Sequence, residues 1–191
     1  MAQNLAQANP QRIMECPQVS ADFYGRGVTR LIELSFTYEN GRDVLRQMQL
    51  QVSKVFDSAS LYVSGDGSDQ QKLTQLYSFL MDRFSYTMDT SITPAYSLLR
   101  HGVGDSRAFA MVFAAMCRDA GLECLMVTGT KNAEPWTWNI VQDDGQYYHL
   151  DLTQCKEDGF FYERTDDAMG GYVWDYSAFP ACGAVIRENL E

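Results

Sequence analysis

The chain has 191 residues, 46% of them apolar and 13% aromatic, and carries 15 Lys and Arg against 25 Asp and Glu for a formal charge of −10. That length fits one domain with room for a small second element, and 10 Phe, 11 Tyr and 3 Trp give most of the chain too much surface to bury for it to be disordered. The charge repels a phosphate backbone, no Lys/Arg stripe interrupts it, and no apolar run approaches the roughly 18 residues of a bilayer span, so neither a nucleic-acid partner nor membrane insertion is expected.

Residues 1 to 25, rich in Gln and Asn with Pro10 and Pro17, read as a loosely held polar leader that lacks the apolar core of a signal peptide. From Leu31 to Tyr38 the apolar Ile32, Leu34, Phe36 and Tyr38 alternate with Glu33, Ser35 and Thr37, which predicts a half-buried strand ending at the Asn40-Gly41 turn. Val44, Leu45, Met48, Val52, Val55 and Phe56 recur at helical spacing. A second amphipathic helix follows at Leu73, Leu76, Tyr77, Leu80, Met81 and Phe84, with Ser68 and Gln71 spaced as a capping box.

Residues 87 to 104, with Pro94 and two glycines, read as irregular. Ser106 to Ala120 is apolar on nearly every side and ends at Gly121, so it is expected as a buried central helix. Three strands are expected next, at 123–130, 136–142 and 146–152, the last two joined through Asp143-Asp144-Gly145 as a hairpin. No crossover helix separates them, so the fold class is α+β with a mainly antiparallel sheet on the central helix. Lys156 onward reads as aromatic-rich loop.

Between Asp143 and Glu191 eleven acidic residues face Lys156, Arg164 and Arg187, an excess read as a solvated face because the spacing of a calcium loop is absent. Cys16, Cys117, Cys124, Cys155 and Cys182 include no CxxC pair and no zinc spacing; Cys117 and Cys124 read as buried thiols, whereas Cys155 and Cys182 would be free to pair in an oxidising compartment. No metal and no cofactor is expected.

The chemically informative stretch is Gly102-Val103-Gly104-Asp105-Ser106-Arg107-Ala108, which places Ser106 first on the most buried helix. Unpaired N–H groups and the helix dipole favour negative charge there, although Asp105 or Ser106 also suits a plain capping role. The segments GVGDSRAFAMVFAAMCRDAGLECLMVTG, WTWNIV and QYYHLDLT then resemble the core of the transglutaminase-like proteins of the papain-like cysteine-protease superfamily, over residues 86 to 153. FFYERTDDAM and the series Tyr172, Trp174, Asp175, Tyr176, Pro180, Cys182 resemble bacterial members. The resemblance implies a papain-like α+β core spanning 68 to 182 within a single domain of residues 26 to 191, and a secreted or surface-anchored parent protein.

In that family a helix-start Cys is deprotonated by a strand His that an Asp on the next strand orients. Here Ser106 and Trp136 stand at the Cys and His positions, and Asp151 alone is retained. A serine hydroxyl ionises far less readily than a thiol, a dipole contribution of at most ~2 kcal/mol does not replace a base, and an indole N–H cannot accept a proton. Catalysis by the family mechanism is therefore expected to fail. His149, on the same strand face as Asp151, is expected to be structural, and His101 to be exposed or capping.

Gly104-Asp105-Ser106-Arg107-Ala108 falls one residue short of a nucleophile elbow and lacks the apolar strand before it. The expectation is a pseudoenzyme that binds a peptide, a protein or a cell-wall polymer in a cleft bearing Asp105, Arg107, Trp138, Asn139 and His149 beside the vestigial triad. The alternatives are a residual Ser106-dependent hydrolase or acyl transferase, and a structural module whose cleft Trp136 has sealed.

Overall fold

A computed structural model describes residues 6–25, 28, 30–88 and 94–183. Helices α1 (Arg42–Tyr62), α2 (Asp69–Arg83), α3 (Pro94–His101) and α4 (Ser106–Asp119) precede the main sheet. The amphipathic α1 buries Val52, Phe56 and Ala59, and α2 buries Leu73, Leu76, Tyr77, Phe79 and Leu80. The start of α2 is fixed by a reciprocal box, in which Gln71 N donates to Ser68 Oγ at 3.2 Å and Ser68 N to Gln71 Oε1 at 3.1 Å.

The most buried helix is α4. Asp105 caps it by accepting from Ala108 N at 2.8 Å. At its other end Leu122 N bonds Cys117 O at 2.8 Å and Gly121 N bonds Arg118 O at 3.1 Å, with Gly121 at φ +76°. That is the pattern in which a left-handed glycine satisfies the last carbonyls of a helix.

Around α4 wraps a four-stranded antiparallel sheet of β5 (Cys124–Lys131), β6 (Glu134–Asp143), β7 (Gln146–Leu150) and β8 (Tyr172–Val173), in the order β7-β6-β5-β8. The β6–β7 turn has Asp144 at φ +47° and Gly145 at +75°, and the β5–β6 turn has Asn132 at +52° and Ala133 at +72°. One side of the sheet packs into the helical core. The other side holds a second cluster of Val127, Trp138, Ile140, Met169, Tyr172, Trp174 and Cys182. The fold is thus α+β, as its residue pattern requires.

Several local expectations are corrected. The leader is not loose throughout: Gln18–Tyr24 forms β1, Met14 is buried, Arg118 Nη1 donates to Ala8 O at 2.7 Å, and the Glu15 carboxylate accepts from Asn40 N and Nδ2. β2 (Leu31–Thr37) pairs with β1 as expected of a strand, yet every residue of both strands is exposed rather than half-buried. Helix α3 occupies part of the stretch read as irregular, with Pro94 as its first residue, a position where the missing proline N–H has no intrahelical partner to lose. Within that stretch β4 (Val103–Gly104) also pairs in parallel with β3 (Ser85–Tyr86). The tail opens as α5 (Leu152–Asp158) rather than loop.

Cys155 and Cys182 belong to the two different cores and stay unpaired, and burial pushes their thiols up to about 11 and about 12.

Candidate functional site

The site forms where the start of α4, the start of β6 and the start of α5 meet. Ser106 is the first residue of α4 and is 8% exposed; its Oγ accepts from Thr137 N of β6 at 3.3 Å. Trp136, the residue before, is half-buried and donates Nε1–H to Asp151 Oδ2 at 2.8 Å. Asp151 lies 1% exposed at the cap of α5, where its Oδ1 accepts from Thr153 N, Thr153 Oγ1 and Gln154 N at 3.1, 2.7 and 3.1 Å.

Five donors therefore converge on this one carboxylate, because the Tyr172 hydroxyl also donates to Oδ2 at 2.7 Å. Arg164 Nη2 in turn donates to the Tyr172 oxygen at 3.2 Å. Lys131 Nζ stands 3.9 Å from Asp151 Oδ2 and 4.6 Å from the Trp136 ring centre, and it donates to Gln154 Oε1. The Tyr86 ring meets Trp136 at 5.9 Å between centroids. Burial, then the charge of Asp151, raises the Tyr172 phenol, so this hydroxyl remains a donor at neutral pH. The five donors fix the orientation of the carboxylate, and one of them is the indole of Trp136.

Both histidines are engaged away from Ser106. His149 is fully buried between Trp138 and Trp174. Trp138 Nε1 is 2.9 Å from His149 Nδ1 and can only donate, so Nδ1 accepts and the proton of the neutral ring sits on Nε2, 2.8 Å from Asp166 Oδ1. Burial lowers the His149 pKa against the opposing pull of Asp166. His101 is exposed at the end of α3, with its ring 6.3 Å from that of Tyr96.

His149, Asp166 and Cys182 place one ligand atom each within 4.8 Å of one another. A metal on Nε2 would move the proton to Nδ1, directly opposite the Trp138 N–H donor, so this cluster does not fit a cation.

The residues expected to line a cleft divide. Asp105 is buried as the α4 cap and Arg107 is exposed on the first turn of α4. Trp138, Asn139 and His149 are interior, at 1%, 0% and 0% exposure, and Asn139 Nδ2 donates to Ala110 O at 3.0 Å, so these three offer no surface to a ligand. The alternation along β6 puts Trp136 and Trp138 on one face, but Trp138 lies deeper, under Tyr172 and Trp174. Sequence reasoning left out Lys131, Thr153, Gln154 and the role of Tyr172. A polar residue two or three places after Asp151 was a capping signal for α5; Lys131 carried no local signal.

Residues 57–158 match the family model of the transglutaminase-like superfamily. The chain belongs to this superfamily. Among solved structures it is similar to one described as a TGase, at 11% identity and a TM-score of 0.49 over 85% of this chain and 49% of that one. It is also similar to a candidate cysteine protease from Cytophaga hutchinsonii, at 13% identity and a TM-score of 0.47 over 76% of this chain and 65% of the other. A third, a candidate protease from Parabacteroides distasonis, shares 14% identity at a TM-score of 0.42, over 68% and 35% of the two chains. The chain thus spans about half the length of the first of these and just under two thirds of the second. No curated protein matches the sequence.

Proposed function

We propose that this is a transglutaminase-like domain without acyl-transfer chemistry, which uses the site around Trp136 to bind an extended peptide or a cell-surface polymer. The observation that carries the proposal is the Trp136 Nε1 to Asp151 Oδ2 bond of 2.8 Å. It supports this reading because an indole N–H only donates, whereas the family mechanism needs a group that accepts a proton. The Ser106 hydroxyl accepts from Thr137 N, and both nitrogens of the buried histidine are committed elsewhere. A half-buried indole flanked by Tyr86 and a lysine suits stacking against a sugar face or a peptide plane.

A second reading, a structural module whose former cleft is sealed, is favoured by the 8% exposure of Ser106. Two measurements test the proposal. A fluorophosphonate probe should leave the protein unlabelled; labelling that Ser106→Ala abolishes would establish an enzyme instead. Co-sedimentation with insoluble peptidoglycan and titration with denatured casein should detect binding that Trp136→Ala weakens. Absence of binding to both would favour the sealed module.

A further inference from the structure

The β1–β2 hairpin has two chemically opposite faces, and its apolar one is bare. The register pairs Val19 with Phe36, Ala21 with Leu34 and Phe23 with Ile32, which puts these six side chains on one face. The other face carries Gln18 with Thr37, Ser20 with Ser35, Asp22 with Glu33 and Tyr24 with Leu31. Val19, Phe23, Ile32, Leu34 and Phe36 are 50%, 74%, 57%, 55% and 55% exposed.

An isolated two-stranded hairpin is at best marginally stable in water and needs a further layer on its apolar face. Its polar face does not supply the missing stability, because Asp22 and Glu33 are like charges directly across the ladder. We infer that the occupant is a second copy of this chain, and that two hairpins pack face to face about a two-fold axis.

The area fits this occupant. Five large side chains exposing about 100 Å² each give about 500 Å² per copy, so the pair would bury about 1,000 Å², the lower bound for a biological interface and the size of a weak, concentration-dependent dimer. An isologous contact is met by the same uncharged patch on both sides, so the −10 charge of each copy acts on the pair only at long range. Salt should therefore tighten the dimer.

Sedimentation velocity on the whole protein, from about 1 to about 100 µM, reads the result. A dimer is expected at the upper concentrations, tighter at about 0.5 M than at about 0.05 M NaCl. Phe23→Glu with Leu34→Glu should weaken dimerisation by about 100-fold or more, equivalent to the loss of a buried apolar pair to charge. Asp22→Asn, on the other face, should leave the dimer intact. Circular dichroism melting reports whether each variant keeps its folded core. A wild-type monomer at the highest concentration would overturn the inference, whether its hairpin is covered by its own chain or awaits a different partner. A dimer unaffected by the Glu pair, or one lost equally with Asp22→Asn, would overturn it as well.

Discussion

Trp136 Nε1 and Asp151 Oδ2 lie 2.8 Å apart, an indole N–H donating to a carboxylate that is itself 1% exposed. The bond reproduces half of a histidine–aspartate pair. An imidazole would give one N–H to the aspartate and keep a lone pair for the nucleophile, whereas the indole has no second nitrogen to offer. The indole at position 136 therefore donates to Asp151 and supplies no proton acceptor.

Trp136→Phe keeps the ring against Tyr86 and Lys131 but deletes the donor to Asp151. Four hydrogen bonds to the carboxylate remain, so the change should cost about 1.5–3 kcal/mol, the range for a hydrogen bond to a charged group. Urea unfolding measures this; an unchanged midpoint would mean that the bond is dispensable.

Burial, reinforced by the charge of Asp143, raises the Glu163 carboxyl to about 7, and its Oε1 is buried without a partner. Because its folded pKa lies above the ordinary carboxylate value, its contribution to stability is fully present below about 4.5 and is lost as pH rises through about 7. Glu163→Gln removes that penalty. The variant's melting temperature should gain on the wild type progressively between about pH 5 and about pH 8, and thermal scans across that window check it. A constant difference at all pH values would contradict the burial argument.

Much of the fold was legible because its signals are local. The Ser68 and Gln71 box, the glycine that ends α4 and the Asp144-Gly145 turn each depend on backbone requirements within a few residues. What covers a surface is not local. The alternation of Ile32, Leu34 and Phe36 specified a two-faced strand correctly, but periodicity carries no information on the layer above it, so the bare face emerged only from the structure. Helix α3 was hidden because Pro94 reads both as a breaker and as a first helical residue, and the seven-residue α5 is too short for a periodic signal. Ser106, Trp136 and Asp151 lie on three elements separated by up to 45 positions, and their juxtaposition was accessible through family resemblance rather than spacing. The inward placement of Trp138 and His149 depends on Trp174, far along the chain, which closes over them.

If Trp136 stands where an imidazole would serve Ser106, as proposed, a histidine there should confer thiolate chemistry on a cysteine at position 106. The measurement is the rate of iodoacetamide alkylation against pH for Ser106→Cys alone and for Ser106→Cys combined with Trp136→His. The thiol of the single variant should react as an ordinary one with a pKa near or above about 8.5, and the double variant should form a reactive thiolate below about pH 7.5. Identical pH profiles for the two proteins, with both folded, would contradict the claim that Trp136 stands where an imidazole would serve Ser106.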